Sequence, residues 1–230
     1  MNARAGRLDV GVIGAGRVGP VLGAGLAGAG HRVVGVATTS QDGRERVAAL
    51  LGDAGILEIP ALLAVADLVL LAVPAEELPT LVGGLAAAGQ WRPGQLVAHT
   101  AAEHGTAVLE PALRSGAIPL AIHPAIVFTG TSMDLARLRE ASCAVTAPAP
   151  VLPIAQALVV ELGAEPVVVA EEDRPAYAEA VATATAFSAE IVRQSLSLLT
   201  RIGVERPTGV IAPLIRASVD AALMRAADSL

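Results

Sequence analysis

The run Val10-Gly11-Val12-Ile13, followed at once by Gly14-Ala15-Gly16-Arg17-Val18-Gly19, leaves few folds open to this chain. A short apolar run that stops at a glycine suits a strand covered on both faces, as in a parallel sheet. The three glycines have separate uses at this spacing. The first allows a tight turn, the second lets an anion approach the backbone, and the third lets the next helix sit against the strand. The helix start adds free N–H groups and the positive end of its dipole. The stretch therefore reads as a cradle for a dinucleotide pyrophosphate. Arg4 and Arg7 ahead of the apolar run imitate a secretion signal, but Arg17 interrupts the run and no cleavage site stands out. The other apolar segment, 62–73, contains Asp67, ends at Pro74, and falls short of the roughly 20 apolar residues that span a bilayer. A soluble, cytoplasmic chain with no membrane partner is expected.

The pattern continues as alternating strands and helices. Strands are predicted over 32–37, 67–73, 96–99, 118–123, 144–146 and 166–169. Helices are predicted over 17–30, 41–51 with Ser40 as N-cap, 60–66, 76–88, 106–115, 133–140 and 152–162. This spacing means right-handed crossovers and an α/β fold, a doubly wound, mostly parallel sheet of the Rossmann type. The style then changes. Residues 174–202 hold no glycine, and a helix of that length spans roughly 43 Å. A second helical stretch, 208–227, follows Pro207. Two domains are expected: 1–172, which binds the dinucleotide, and 173–230, an all-helical segment for dimerisation and the substrate side.

Composition excludes several classes. The net charge of −6 argues against a nucleic-acid partner, which would need clustered cations. All sixteen cations are arginine, so no lysine is available for a Schiff base, a P-loop or proton donation. The single cysteine, Cys143, cannot form a disulfide within the chain and reads as a small buried hydrophobe.

The end of the second strand bears on the cofactor. A site for NAD favours an acidic residue there, to hold the ribose hydroxyls. This chain has Thr38, Thr39 and Ser40, then Arg44 and Arg46. Hydroxyls followed by Arg44, with help from Arg17, suit a 2′-phosphate, so NADP is the expected cofactor and NAD the alternative; both arginines also fit a solvated helix face. Ala72, Val73 and Pro74 end a central strand and are expected to line the same crevice.

His99 and His123 end successive predicted strands, which places both imidazoles at the edge that carries the glycine loop. Histidine is the natural proton donor for a reduction near neutral pH. His99, His123 and the adjacent Thr100 are therefore the catalytic candidates, although each histidine also suits a hydrogen-bonded structural role. Glu76 and Glu77 read as an exposed helix start. His31 and His104 read as incidental. No third ligand at recognisable spacing supports a metal, and no nucleophile elbow supports a serine hydrolase.

The segments "VGVIGAGRVG", "ADLVLLAVP", "LVAHTAAEHG" and "IPLAIHPAIVFTGT" resemble the Rossmann-like proteins that carry a C-terminal domain of unknown function. These are relatives of pyrroline-5-carboxylate reductase in the 6-phosphogluconate dehydrogenase superfamily. The resemblance covers residues 8–220 and implies an NAD(P) domain, a helical C-terminal domain and a dimer formed through those helices. The chain departs from the pattern in three places. Ala101-Ala102 follow Thr100 where that family has Ser-Gly, Ala178 follows Tyr177 where it has His, and Ala186 follows Thr185 where it has Asn. The expected function is NADP-dependent hydride transfer to a small imino or keto compound, with Thr183, Thr185 and Glu190 as further cleft candidates. The alternatives are a non-catalytic NAD(P)-binding protein and an assembly subunit. Ala180, Val181, Ala184, Phe187, Ile191, Leu198 and Leu199 supply the apolar face expected to pair two copies.

Overall fold

A computed structural model describes residues 6–52 and 54–227, so the reading of Arg4 lies outside the described residues. Seven strands form one sheet: β1 (Asp9–Ile13), β2 (Arg32–Ala37), β3 (Leu68–Leu71), β4 (Leu96–His99), β5 (Ile118–Pro124), β6 (Ser142–Thr146) and β7 (Glu165–Val168). The order is β2-β1-β3-β4-β5-β6-β7. The first five strands are mutually parallel; β6 runs antiparallel to β5, and β7 parallel to β6. The fold is therefore the mostly parallel α/β Rossmann architecture. The strand order reverses beside β1, so the carboxyl ends of β1 and β3 open a crevice there.

Residues alternate between the two faces of the sheet. Val10, Val12, Leu68 and Leu70 pack into one core, with α1 (Gly19–Gly28), α2 (Gln41–Leu51) and α7 (Leu152–Glu161). Ile13, Val69, Leu71 and Val97 pack into the other, with α3 (Ile59–Val65), α4 (Leu78–Ala87) and α5 (Glu110–Leu113). Both cores are mainly aliphatic, with Phe128 the aromatic residue in the first and Trp91 in the second, as a chain with only 2% aromatic residues requires. Continuous burial of β3 and β4 explains why their segments read as unbroken apolar runs. A short α6 (Met133–Leu138) completes the layer over α1.

β3, β6, α4 and α6 differ from the sequence reading by up to two residues at an end, and two helices differ for a local reason. α1 begins at Gly19 rather than at residue 17, because Pro20 in the first turn fixes the helix start and leaves Arg17 and Val18 in the loop. The helix expected over 106–115 is a 3-10 turn (Thr106–Leu109) followed by α5, with Pro111 starting the α-helical turn.

The chain divides into two compact units, Met1–Glu179 and Ala180–Leu230. The first part of α8 (Arg174–Arg201) belongs to the sheet unit, because Arg174 is buried among β5 and β6 and Tyr177 meets His123. The second unit holds the rest of α8 and α9 (Pro207–Ala227), with Ile211 its buried residue. Phe187, Ile191, Leu198, Leu214 and Leu223 are exposed. Among the described residues, no helix is long and apolar enough to cross a membrane.

Candidate functional site

Backbone bonds pin the glycine loop in the crevice between β1 and β3. Gly14 N donates to Ala37 O at 3.0 Å, and Ala72 N donates to Ile13 O at 2.8 Å. Gly14 has φ +101°, and a Cβ there would collide with the Ala72 carbonyl. Gly19 is equally constrained: its Cβ would collide with the carbonyl of Gly14. Gly16 is different. A Cβ at Gly16 meets nothing within 4 Å, and Gly16 lines a cavity of about 930 Å³. The two outer glycines are thus required by the protein's own packing, and the middle one keeps a surface open. No side chain caps the start of α1, and its first turn holds no acidic residue, which leaves the first N–H groups for an external anion. The loop fits a pyrophosphate on these observations.

The same cavity brings together Thr38, Thr39 and Ser40 from the end of β2 and Ala72, Val73 and Pro74 from the end of β3. Ser40 Oγ accepts from Gly43 N at 3.1 Å and so caps α2. Arg44 is exposed on α2 and is not part of the cavity wall. Arg46 turns back to the loop and donates to Ala15 O at 3.2 Å. The structure therefore does not bring Arg44 to the hydroxyl cluster, because α2 carries its side chain toward solvent. Glu58, Glu76 and Glu77 also face the cavity. Both glutamates are exposed at the start of α4, as expected: Glu77 is its N-cap and Glu76 lies in the turn before it, with Glu77 N bonded to Pro74 O.

A second cavity, of about 280 Å³, lies between the far side of the glycine loop and the ends of β4 and β5. It is lined by Arg17, Val18, Thr100, His123, Pro124, Ile126 and Phe128. The loop that carries Thr129–Thr131 supports it from behind. The buried carboxylate of Asp134 accepts from Thr129 N, Gly130 N and Thr129 Oγ1 at 2.7, 2.7 and 2.9 Å. Gly130, at φ +80°, lies directly against Arg17.

His99 does not reach this cavity. It pairs in register with Leu71 on one side and Ala121 on the other, which places it at the level of the sheet core. His123 lies two residues further along β5, on the same face but at the rim. His99 is fully buried. Its Nδ1 accepts from Ala101 N at 3.2 Å, which leaves Nε2–H to donate to Gly105 O at 2.7 Å. Burial, reinforced by the Arg174 charge and opposed by the Gly105 bond, lowers its pKa to about 4. The expectation that His99 donates a proton to a substrate is therefore corrected: both ring nitrogens hold backbone.

His123 shares the low pKa of about 4, chiefly through burial and then through Arg174. Its Nδ1 lies 2.8 Å from Tyr177 Oη. Arg174 itself is fully buried. Its Nε donates to Thr146 Oγ1 at 2.7 Å, and its Nη2 to Ala121 O and Ala144 O at 3.0 and 3.3 Å. Nη1 is buried without a hydrogen-bond partner among the described residues. The guanidinium carbon sits 5.9 Å from the centre of the Tyr177 ring. Cys143 is buried on β6, and burial pushes its thiol up to about 12, in keeping with an inert core residue.

Arg174 was not singled out by the sequence, and Tyr177 only by its neighbour Ala178. One signal was present. An arginine in the first turn of a long helix opposes the helix dipole, so it needs another reason to be there. In the second unit, Thr185 bonds back to Val181 O and Ala182 O, and Glu190 pairs with Arg193 and Gln194. These polar groups are engaged within their own helix.

The chain belongs to the Rossmann-like domain family, whose model matches residues 1–124. A second family, described as a domain of unknown function (DUF2520), matches residues 141–230. No curated protein matches the sequence. Solved structures share the fold at low identity. A candidate NADP oxidoreductase from Bacteroides fragilis is 20% identical, with 94% of this chain and 80% of that chain covered, at a TM-score of 0.75. A pyrroline carboxylate reductase from Plasmodium falciparum, with NADP bound, is 13% identical, with 93% and 78% covered, at 0.66. A 1-pyrroline-5-carboxylate reductase from Streptococcus pyogenes is 19% identical, with 96% and 79% covered, also at 0.66.

Proposed function

We propose that the protein is a nicotinamide dinucleotide-dependent oxidoreductase that reduces a small C=N or C=O compound. The observation that carries this reading is the second cavity: one wall is the outer side of the glycine loop, Arg17 and Val18, and the other holds Thr100 and His123. The pyrophosphate is held by the N–H groups at the start of α1, with Gly16 giving room. When bound, the reduced nicotinamide supplies hydride. Thr100 and His123 orient the substrate and provide the proton that its nitrogen or oxygen takes up, while Pro124, Ile126 and Phe128 exclude water. Neutral His123 is the form suited to this at physiological pH, because an N–H donor needs no prior protonation.

NADP is the proposed cofactor. Its support is the Thr38-Thr39-Ser40 cluster at the head of α2, where hydroxyls and backbone N–H groups suit a 2′-phosphate and no carboxylate ends β2. The kinship in fold with the NADP-bound Plasmodium reductase supports the same choice. A homodimer through α8 and α9 is proposed from the exposed Phe187, Ile191, Leu198, Leu214 and Leu223.

Calorimetric titration with NADPH and NADH tests the cofactor. Tighter binding of NADPH, weakened about tenfold or more by Gly16→Val, is the expected result. Failure of both dinucleotides to bind would overturn the reading. Oxidation of NADPH in the presence of a panel of imino and keto acids tests the reaction, and light scattering at micromolar concentration tests the dimer.

A further inference from the structure

We propose that Tyr177 and Arg174 are positioning residues for His123: Tyr177 fixes the ring as an Nε2–H donor and refills the proton it gives up, and Arg174 holds the charge left behind. The chemistry rests on the reductase reading; the geometry does not.

Three observations meet here. First, Tyr177 Oη is 2.8 Å from His123 Nδ1, while the two rings stand edge to face with centroids 5.5 Å apart. A phenol is a stronger acid than a neutral imidazole N–H, so the hydroxyl donates and Nδ1 accepts. The ring proton then sits on Nε2, on a residue that lines the cavity. Second, Arg174 carries a buried charge with no carboxylate bonded to it among the described residues, and its Nη1 lacks any partner. A buried guanidinium that is only partly satisfied is costly, which calls for a compensating use. Third, that charge lies beneath the Tyr177 ring, 5.9 Å from its centre. Such a charge disfavours an imidazolium at His123; at Tyr177, burial pushes the phenol up and the Arg174 charge works against that, toward the phenolate. The charged and titratable groups facing the pair are Arg174, Glu103 and Cys143.

The step balances as follows. Hydride, donated by reduced nicotinamide as it is oxidised, adds to the substrate carbon, and the π pair of the C=N or C=O moves to the heteroatom. The heteroatom takes the proton from His123 Nε2. His123 Nδ1 takes the hydroxyl proton of Tyr177. The imidazole ends neutral with its proton on Nδ1, and Tyr177 ends as a phenolate facing Arg174. Water entering the cavity then protonates His123 Nε2 while the Nδ1 proton returns to the Tyr177 phenolate, which restores the starting pair.

Nitrogen NMR of isotopically labelled histidine reads the tautomer without needing a substrate, with His123→Gln assigning the signal. At neutral pH, His123 is expected as a single neutral Nε2–H tautomer. In Tyr177→Phe, shown to be folded by circular dichroism, it is expected to spread over both tautomers. Tyr177 is the only tyrosine, so tyrosinate absorbance reports on it alone. Arg174→Lys should leave that titration near its wild-type position, and a folded Arg174→Gln should move it up by about one pH unit or more. A wild-type Nδ1–H tautomer, or an unchanged tautomer in folded Tyr177→Phe, overturns the proposal, and so does a titration unmoved in folded Arg174→Gln. NADPH titration of the same samples separates the two readings. If the tautomer behaves as expected and NADPH does not bind, the reductase reading fails and the hydrogen-bonded assignment of the pair stands. If NADPH binds and the tautomer does not respond, the reverse holds.

Discussion

His99 and His123 are the same residue type, on adjacent parallel strands, facing the same side of the sheet, yet they differ in what their ring nitrogens hold and in whether they reach a cavity. His99 is sealed at the level of the core with both ring nitrogens bonded to backbone. His123, two residues further out, bonds one nitrogen to Tyr177 and lines a cavity shared with the glycine loop. A displacement of two residues along a strand, about 7 Å, separates a ring sealed in the core from one that lines a cavity. The glycine loop repeats the lesson. Gly14 and Gly19 are required because protein backbone crowds them, whereas Gly16 faces open space.

The largest test of this contrast is acid. Both histidines are depressed to about 4 from 6.5. Between those values the unfolded chain holds more protons than the folded one, so stability falls as pH falls, and the fall levels off below about 4. Above 6.5 neither histidine contributes a slope. Full neutral burial of His99 should cost roughly 3 kcal/mol over that window, with His123 adding less because solvent reaches it. Urea unfolding from pH 7 to 4 measures this. His99→Gln should flatten the slope more than His123→Gln does; equal flattening would break the comparison.

The next largest effect is His99→Ala at neutral pH. It leaves Ala101 N and Gly105 O unpaired in the core and opens a void, for a loss of roughly 3 kcal/mol. His123→Ala should lose about 1 kcal/mol. Thermal unfolding compares them, and a larger loss at His123 would mean that the rim ring is the structural one.

Gly14→Ala combines strain at positive φ with a backbone collision, and should cost about 2 kcal/mol together with loss of dinucleotide binding. Gly16→Ala is the smallest expected change in stability, within about 0.5 kcal/mol, while dinucleotide affinity still falls. Calorimetry and thermal unfolding of the two variants sharpen the distinction between crowded and open positions. Equal destabilisation would show that Gly16 too serves packing.

Much of the framework was legible in the sequence. The second strand, the fourth strand and α2 with its Ser40 cap match the sequence reading residue by residue, because each rests on a local cause: an apolar run, a glycine or proline stop, a side-chain cap. The start of α1 was read two residues early, since Arg17 is a good helix former and only the Gly19-Pro20 pair marks the boundary. The candidate site was legible in its loop and in His123 and Thr100. It was not legible in Arg44, whose direction depends on how α2 is turned, or in Glu58, which arrives from another loop.

Local residue patterns were enough for the alternation of strands and helices, the turn at Gly14 and the open helix start beyond it. These follow from side-chain period and backbone freedom within a few residues. Only the tertiary structure decided which histidine is sealed, because that depends on the register between β4 and β5, which no local pattern encodes. It alone also joined Arg174 and Tyr177, more than fifty positions along the chain, to the end of β5, since a buried cation finds its carbonyl partners only after the strands that carry them have paired.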